Sequence, residues 1–128
     1  MAEGTLFLIV GPSGVGKDTL INGARAALAG DPGFVFARRV ITRPAGSGGG
    51  DHRAATEEEF RAHEESGGFM IAWRAHGLSY GLEKSLKDDL TRGRYVIANV
   101  SRAILDDLVA RFSSHCIVEI TAAPEILA

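Results

Sequence analysis

The fold is decided by the stretch Gly11-Pro12-Ser13-Gly14-Val15-Gly16-Lys17-Asp18-Thr19. It follows the apolar run Leu6-Phe7-Leu8-Ile9-Val10 and leads into an alanine-rich segment, which is the order strand, glycine loop, helix. Glycines let the backbone curl so that successive N–H groups face an anion, and the helix start adds the positive end of its dipole. The stretch therefore predicts a phosphate-binding loop in which Lys17 reaches the terminal phosphates of a nucleoside triphosphate.

The residue after Lys17 departs from the usual motif, in which a Ser or Thr hydroxyl binds magnesium. Here it is Asp18, with Thr19 one position later. A carboxylate is also a hard oxygen ligand, so we predict Mg²⁺ binding at Asp18, directly or through water, and donation from Thr19 to the α-phosphate. The alternative is a glycine turn that only joins a strand to a helix. The spacing, the lysine and the flanking pattern favour the phosphate loop.

Composition limits the classes of protein to which the chain can belong. Its 128 residues fit one domain with a real core. The net charge of −2 does not predict bulk attraction to nucleic acid or to an anionic membrane. The single cysteine, Cys116, excludes an internal disulfide, fits a reducing cytoplasm and is expected to fill the core. There is neither an apolar run of membrane-spanning length nor a signal peptide, so we expect a cytoplasmic protein.

Strand patterns alternate with helix patterns along the chain. This predicts an α/β domain of the P-loop NTPase fold, with a parallel sheet flanked by helices. Between Arg43 and Leu82 the alternation breaks, so we expect a core of residues 1–42 and 83–128 and a small inserted acceptor-binding lobe of about 43–82. Strands are predicted over residues 5–10, 34–40, 69–73, 95–100 and 116–120, and helices over 17–29, 57–66, 82–91 and 101–112. The segment from His76 to Gly81 is predicted to be a turn-rich return.

Basic side chains form the densest cluster after the loop. Arg38, Arg39 and Arg43 follow a predicted strand, and Arg53 lies across a glycine-rich segment. Planar guanidinium groups suit phosphate, and a P-loop enzyme needs a second anion site, which favours a functional role for Arg43. For Arg38 and Arg39 a solvated strand edge is an equally good interpretation.

Other polar and aromatic residues give weaker indications. His52 has no second histidine at metal-ligand spacing, so a zinc site is not predicted. Tyr80, predicted to lie in a turn, can present its hydroxyl to a ligand, whereas Trp73 is assigned to packing. Asn99 ends an apolar strand, where α/β folds place ligand groups. For Glu119 an ordinary polar position on an edge strand is favoured over a role in holding magnesium.

Together these residues resemble the guanylate kinase family of P-loop kinases over nearly the whole chain. The resemblance implies ATP with Mg²⁺ as the phosphate donor, Lys17 and Arg43 as catalytic residues, and Tyr80 and Arg43 at the acceptor phosphate. It also places His52 where a phosphate-binding tyrosine is usual, and Arg39 where a serine is usual. The matching motifs are the glycine loop, Thr42-Arg43-Pro44, Glu58-Glu59-Phe60, Gly68-Phe69, Trp73 and Tyr80-Gly81.

The departures point to one branch of that family. The guanine-recognising glutamate corresponds to Ala72, and the Ser or Thr after Tyr-Gly corresponds to Leu82, so we expect a phosphorylated acceptor without guanine. The ribose 1,5-bisphosphate phosphokinases are similar, and they make 5-phosphoribosyl 1-diphosphate from ATP and ribose 1,5-bisphosphate in bacterial phosphonate use. The shared motifs are Gly16-Lys17-Asp18, Ile41-Thr42-Arg43, Asp51-His52, Trp73-x-x-His76-Gly77-Leu78-x-Tyr80-Gly81, Ser101-Arg102-Ala103 and Pro124-Glu125-Ile126-Leu127.

The resemblance also implies parts that do not follow Ala128. Family members continue with a lid that carries arginines, a last strand and an adenine-binding loop, so we expect a C-terminally incomplete domain with an exposed sheet edge that favours a homodimer. Two alternatives stay open, namely a guanylate or other nucleoside monophosphate kinase, and a non-catalytic guanylate kinase-like module. Ala72 and Leu82 argue against GMP. Lys17 argues against the module, although the missing lid favours it.

Overall fold

A computed structural model describes residues 4–11, 17–43 and 52–120. Residues 12–16 of the predicted phosphate loop, the segment 44–51, residues 121–128 and the side chain of Asp18 lie outside the described residues. In chain order the elements are β1 (Leu6–Val10), α1 (Lys17–Ala27), β2 (Phe34–Phe36), β3 (Arg39–Ile41), β4 (His52–Ala54), α2 (Glu57–Glu65), β5 (Phe69–Ala75), β6 (Leu78–Glu83), α3 (Ser85–Thr91), β7 (Tyr95–Asn99), a short 3-10 helix (Arg102–Ile104), α4 (Leu105–Arg111) and β8 (His115–Glu119).

The first sheet, which we call the core sheet, is parallel throughout. Its strand order is β2-β7-β1-β8, and β1 pairs with β7 on one side and β8 on the other. Leu6 and Leu8 of β1 are fully buried, as are Val96 and Ala98 of β7. Strands that are buried on both sides read as continuous apolar runs, which is why the sequence predicted this sheet. The predicted α/β class with a parallel sheet is confirmed.

A second, mixed sheet carries the order β4-β3-β6-β5, and we call it the acceptor sheet. Strand β3 is parallel to β4 and antiparallel to β6, while β5 and β6 form a hairpin. The apolar face of this sheet packs with the core sheet into one cluster, to which Ile41, Ile71, Trp73, Tyr80 and Leu82 contribute.

The single strand predicted over residues 34–40 is wrong, because the chain passes from one sheet to the other within it. Strand β2 pairs with β7, and the amide of Ala37 still donates to the carbonyl of Ile97 at 2.8 Å. From Arg39 onward the backbone pairs with β4 and β6 instead. An apolar pattern does not show which neighbour a strand will have, so this division was not visible in the sequence.

The turn predicted around Tyr80 is also wrong, since Tyr80 lies inside β6. The β5–β6 hairpin turns at His76 and Gly77, where φ is 54° and 73°. Gly81 suggested a turn but is part of the strand. A side chain at Gly81 would meet the ring of Phe69 at 2.6 Å, so this glycine makes room for an aromatic ring rather than for a turn.

Helix α2 begins as predicted. Thr56 accepts from the amide of Glu59, and the Glu59 carboxylate accepts from the amide of Thr56, which completes a capping box. These bonds hold the pKa of Glu59 below its usual value. Helix α3 starts later than predicted because Leu82 belongs to β6.

Cys116 is exposed, which contradicts its predicted role in the core. It lies on β8, at the edge of the core sheet as described, where Ile117 is also 45% exposed. An edge strand has a neighbour on one side only, so its apolar side chains are less enclosed. Within the ranges described, no helix is long and apolar enough to cross a membrane.

Candidate active site

Three of the predicted acceptor residues lie on one face of the acceptor sheet. Arg39 of β3 is the register partner of His52 on β4, and Ile41 of β3 is the partner of Tyr80 on β6. Residues two apart on a strand share a face, so Arg39, His52 and Tyr80 face the same way. The guanidinium carbon of Arg39 lies 5.6 Å from the centre of the Tyr80 ring, within cation–π distance.

Tyr80 is held by a second aromatic ring. Its side chain stacks on Trp73, with ring centres 5.5 Å apart and planes inclined by only 7°. Both residues are buried, at 5% and 6% exposure. The Tyr80 hydroxyl makes no hydrogen bond to any residue within the described ranges. The stack therefore fixes the position of the Tyr80 ring.

His52 contacts the backbone of Arg43. Its Nε2 lies 3.0 Å from the Arg43 carbonyl oxygen, and because a carbonyl only accepts, Nε2 carries the proton and donates. The His52 carbonyl in turn accepts from the Arg38 guanidinium at 3.2 Å. His52 is 4% exposed and Arg43 is half-buried. The structure thus brings His52 and Arg43 together, with the histidine ring on the backbone of the arginine.

Arg53 lies apart from this group. It follows His52 directly on β4, so its side chain leaves the opposite face of the strand. There its Nη1 lies 3.5 Å from Glu83 Oε1, and His63 Nε2 lies 2.9 Å from the other oxygen of that carboxylate. The structure therefore does not bring Arg53 together with Arg39, His52 and Tyr80, although the sequence groups it with the basic residues.

The part of the candidate site that is predicted to bind the nucleotide begins at the end of β1. Gly11 follows β1, and Lys17 opens α1 with its ammonium donating to the Gly11 carbonyl at 2.9 Å. A side chain at Gly11 would lie 2.5 Å from the carbonyl oxygen of Ile120, so only glycine fits there. Thr19 is exposed on the first turn of α1. The structure therefore joins the two ends of the predicted loop through Lys17.

Asn99 lies beside this end of the core sheet. It is the last residue of β7 and the register partner of Ile9 on β1, two residues before Gly11. Its Oδ1 is buried without a hydrogen-bond partner among the residues that the structure describes. Buried acceptors are normally satisfied, so this oxygen is available to a ligand or a bound water. Glu119, by contrast, is an exposed edge residue in an ion pair with Arg102, as its favoured interpretation predicted.

A contact between two residues near the site was not found from the sequence. Trp73 was assigned to packing, but its indole N–H donates to the Ser101 hydroxyl at 3.1 Å. Ser101 lies at the start of the helix predicted over 101–112, yet its side chain makes no capping hydrogen bond. A signal did exist for Trp73. Counting outward from a two-residue turn at His76-Gly77 pairs Trp73 with Tyr80, as the observed register does.

Comparison with known proteins identifies the family. No protein-family model matches the sequence. The chain is 47% identical over 123 residues to the ribose 1,5-bisphosphate phosphokinase PhnN of Agrobacterium fabrum, and the match covers 96% of this chain and 67% of that protein. The chain belongs to the ribose 1,5-bisphosphate phosphokinase family.

Other relatives of this phosphokinase family are longer. The bifunctional ribose 1,5-bisphosphokinase-thymidine phosphorylase of Cupriavidus necator is 55% identical over 127 residues, which cover 99% of this chain but 21% of that protein. The chain thus spans about a fifth of this bifunctional relative and about two thirds of the PhnN protein.

A solved structure supports the fold of this chain. The guanylate kinase of Anaplasma phagocytophilum matches with a TM-score of 0.74 and 18% identity, covering 92% of this chain and 60% of that one. Identity this low shows the fold alone. The chain has the guanylate kinase-like P-loop fold that its sequence predicted.

Proposed function

We propose that this chain carries the ATP and acceptor sites of a ribose 1,5-bisphosphate phosphokinase. In that reaction an oxygen of the 1-phosphate attacks the γ-phosphorus of ATP. The bond between the γ-phosphorus and the β–γ bridging oxygen breaks, ADP leaves and 5-phosphoribosyl 1-diphosphate forms. The observation that carries the proposal is the 47% identity to the Agrobacterium fabrum PhnN protein over nearly the whole of this chain.

The acceptor residues support this chemistry. A phosphate oxygen is already anionic, so the reaction needs no strong general base but does need neutralisation of two approaching polyanions. Arg39 of β3 and Arg43, which follows β3, would supply positive charge, and the Tyr80 hydroxyl would supply a hydrogen-bond donor. In our proposal His52 acts by holding the backbone of Arg43 rather than by binding phosphate with its Nε2.

The acceptor sheet also supports the choice of a sugar over a guanine nucleotide. Ala72 offers no hydrogen-bonding group, and Leu82 is fully buried in the apolar cluster. Neither side chain can hydrogen-bond a base, and a site without such partners loses most of its discrimination for that base. No described feature favours GMP as the acceptor.

The residues at the nucleotide end fit ATP with Mg²⁺. When bound, the metal would neutralise charge on the phosphates of the donor. The Lys17 ammonium would bind those phosphates. Hard oxygens are offered by the Thr19 hydroxyl and by the Oδ1 of Asn99, which is buried without a partner among the described residues. Residues 12–16 complete the loop in this proposal, and Asp18 remains the proposed magnesium ligand. Because ATP is the donor, we propose that the protein acts in the cytoplasm.

The test is to identify the product. The chain is incubated with ATP, Mg²⁺ and ribose 1,5-bisphosphate, and ³¹P NMR follows the conversion of the 1-phosphate signal into diphosphate signals. The Agrobacterium fabrum PhnN protein serves as the positive control, and Lys17→Ala as the inactive variant. We expect the signals of 5-phosphoribosyl 1-diphosphate, as distinct from those of ADP, from the unsubstituted chain and not from Lys17→Ala. Absence of the sugar diphosphate when the positive control produces it would refute the proposal for this chain.

A further inference from the structure

A tryptophan of the acceptor sheet makes a side-chain hydrogen bond to the segment that follows a strand of the core sheet. Trp73 of β5 donates its indole N–H to the hydroxyl of Ser101, which follows β7 by two residues. The chain is still attached to the core sheet just before Ser101, since the Val100 amide donates to the Ile9 carbonyl at 3.1 Å. We call the Trp73–Ser101 contact the inter-sheet hydrogen bond.

This bond lies at the end of a continuous stack. The Arg39 guanidinium lies over Tyr80, Tyr80 stacks on Trp73, and Trp73 is bonded to Ser101. Ser101 is near the carboxyl end of β7, which runs beside β1 and so beside the start of the phosphate loop. The stack thus runs from a proposed acceptor cation to the edge of the sheet that leads to the donor. A displacement of Trp73 would be passed through the stacked rings to Arg39.

Ser101 is used here in an unusual way. A serine before a helix normally accepts a hydrogen bond from a helix amide, which stabilises the helix. No such bond forms at Ser101, and its hydroxyl serves Trp73 instead. An indole N–H can only donate, and a buried donor without an acceptor is costly. The Ser101 hydroxyl thus accepts a hydrogen bond from Trp73 of the acceptor sheet instead of capping the helix that follows it.

We propose that the inter-sheet hydrogen bond positions the acceptor sheet against the core sheet for phosphoryl transfer, so that Ser101 and Trp73 are positioning residues. This inference rests on the proposed function. In-line transfer depends on alignment of the two substrates, and a displacement of about 1 Å can reduce a rate by about a hundredfold. Neither residue is proposed to touch ATP or the acceptor. Loss of the bond is therefore expected to lower kcat more than it raises either KM.

The experiment is a double-mutant cycle on the full chain, with ribose 1,5-bisphosphate as acceptor. Ser101→Ala removes the acceptor hydroxyl, Trp73→Phe removes the donor and keeps an aromatic ring, and Ser101→Thr keeps a hydroxyl. We expect Ser101→Ala to lower kcat by about five- to tenfold, the size of one hydrogen bond, with the KM for ATP unchanged within about twofold. The double variant Trp73→Phe/Ser101→Ala should then have nearly the same kcat as Trp73→Phe alone. Ser101→Thr should recover most of the rate.

Fluorescence gives a second readout, because Trp73 is the only tryptophan of the chain. Ser101→Ala should shift its emission and increase its quenching by acrylamide. The matched control is Ser114→Ala, which removes a hydroxyl paired with Thr5 at 3.2 Å between two parts of the core sheet. That control should leave both kcat and the emission unchanged.

The outcomes separate the two proposals. If the unsubstituted chain turns over and Ser101→Ala matches it in kcat, or if the effects of Ser101→Ala and Trp73→Phe simply add, the positioning role is refuted and the proposed function stands. If the unsubstituted chain shows no turnover while the Agrobacterium fabrum protein does, the proposed function fails and the positioning role falls with it.

Discussion

At the level of single residues, the acceptor face depends on an arginine that lies over an aromatic ring. The guanidinium carbon of Arg39 lies 5.6 Å from the centre of the Tyr80 ring, within cation–π distance. The Tyr80 ring is held in turn by the ring of Trp73, which stacks on it. A cation with a fixed orientation loses less side-chain entropy when it binds phosphate, which favours a preorganised anion site.

Tyr80→Phe tests whether the hydroxyl binds the acceptor. The ring stack is kept and the hydroxyl is lost, so we expect the KM for ribose 1,5-bisphosphate to rise about tenfold or more, as for a hydrogen bond to a charged group. The KM for ATP and the melting temperature should stay near those of the unsubstituted chain. An unchanged acceptor KM, measured in steady-state kinetics, would show that Tyr80 acts through its ring alone.

Arg43→Ala tests the predicted catalytic arginine. Removing a guanidinium from a site that must neutralise two polyanions should lower kcat/KM for the acceptor at least about a hundredfold. Arg74→Ala is the matched control, because Arg74 is an exposed arginine of the acceptor sheet that pairs with Glu64. We expect the kcat/KM of Arg74→Ala for the acceptor to lie within about twofold of that of the unsubstituted chain. Equal effects of the two substitutions would remove Arg43 from the mechanism.

The sequence was sufficient to propose Arg39, Arg43, His52 and Tyr80 as a group, because each belongs to a recognisable motif. It was not sufficient to find the role of Ser101, since that role depends on a side chain of β5, 28 residues earlier in the chain. Contacts between elements follow from packing, and packing has no local signature in a sequence. The same limit explains why Arg53 was grouped with the acceptor cations although it pairs with Glu83.

At the level of elements, the capping box of α2 was predictable because it is local. Thr56→Ala removes the oxygen that accepts from the Glu59 amide and should lower the free energy of unfolding by about 1 kcal/mol. It should raise the pKa of Glu59 only in part, because the backbone N–H of residue 56, which lowers that pKa most, is kept, and only the smaller effect of the hydroxyl is lost. Urea unfolding measures the first effect. Thr56→Ser, which keeps the oxygen, should retain most of the stability, and an equal loss in both variants would argue against the cap.

The Glu64–Arg74 pair predicts a small pH dependence of stability. Two hydrogen bonds from Arg74 hold the pKa of Glu64 below its usual value of 4.5. A lowered pKa in the folded state means that the pair stabilises the fold above about pH 4.5 and that this stabilisation is lost as the pH falls through the lowered value. Both side chains are partly exposed, so we expect at most about 1 kcal/mol.

Glu64→Gln isolates this contribution. Its urea midpoint should fall less than that of the unsubstituted chain between pH 7 and pH 3, because glutamine has no proton to gain. Identical falls in the two proteins would show that the pair adds nothing measurable to stability.

Element boundaries were less predictable where tertiary contacts decide them. The segment 34–40 reads as one strand, but its two halves join different sheets. Gly81 suggests a turn by residue type, but it is there to accommodate the Phe69 ring inside a strand. Cys116 has the apolar surroundings of a core residue in the sequence and is exposed because β8 lies at an edge. In each case the deciding neighbour is distant in sequence.

At the level of the whole molecule, the residues proposed to bind ATP follow strand β1 of the core sheet, and Arg39 and Tyr80, which are proposed to bind the acceptor, lie on the acceptor sheet. The core sheet presents the start and end of the phosphate loop at Gly11 and Lys17, and the acceptor sheet presents Arg39 and Tyr80. Because both sheets share one apolar cluster, their relative position is set by packing and by the inter-sheet hydrogen bond between Trp73 and Ser101. The central claim is that this arrangement transfers phosphate to a sugar phosphate rather than to a nucleotide.

A competition between acceptors tests that claim most directly. The chain receives ATP labelled at the γ-phosphate, Mg²⁺, and equal concentrations of ribose 1,5-bisphosphate and GMP in one reaction, and chromatography separates the labelled products. We predict label in 5-phosphoribosyl 1-diphosphate and none in GDP above a Lys17→Ala control. Label in GDP at the expense of the sugar product would contradict our interpretation of Ala72 and Leu82. If ATP is bound but neither acceptor is labelled, the chain is a binding module and the account of its function is wrong.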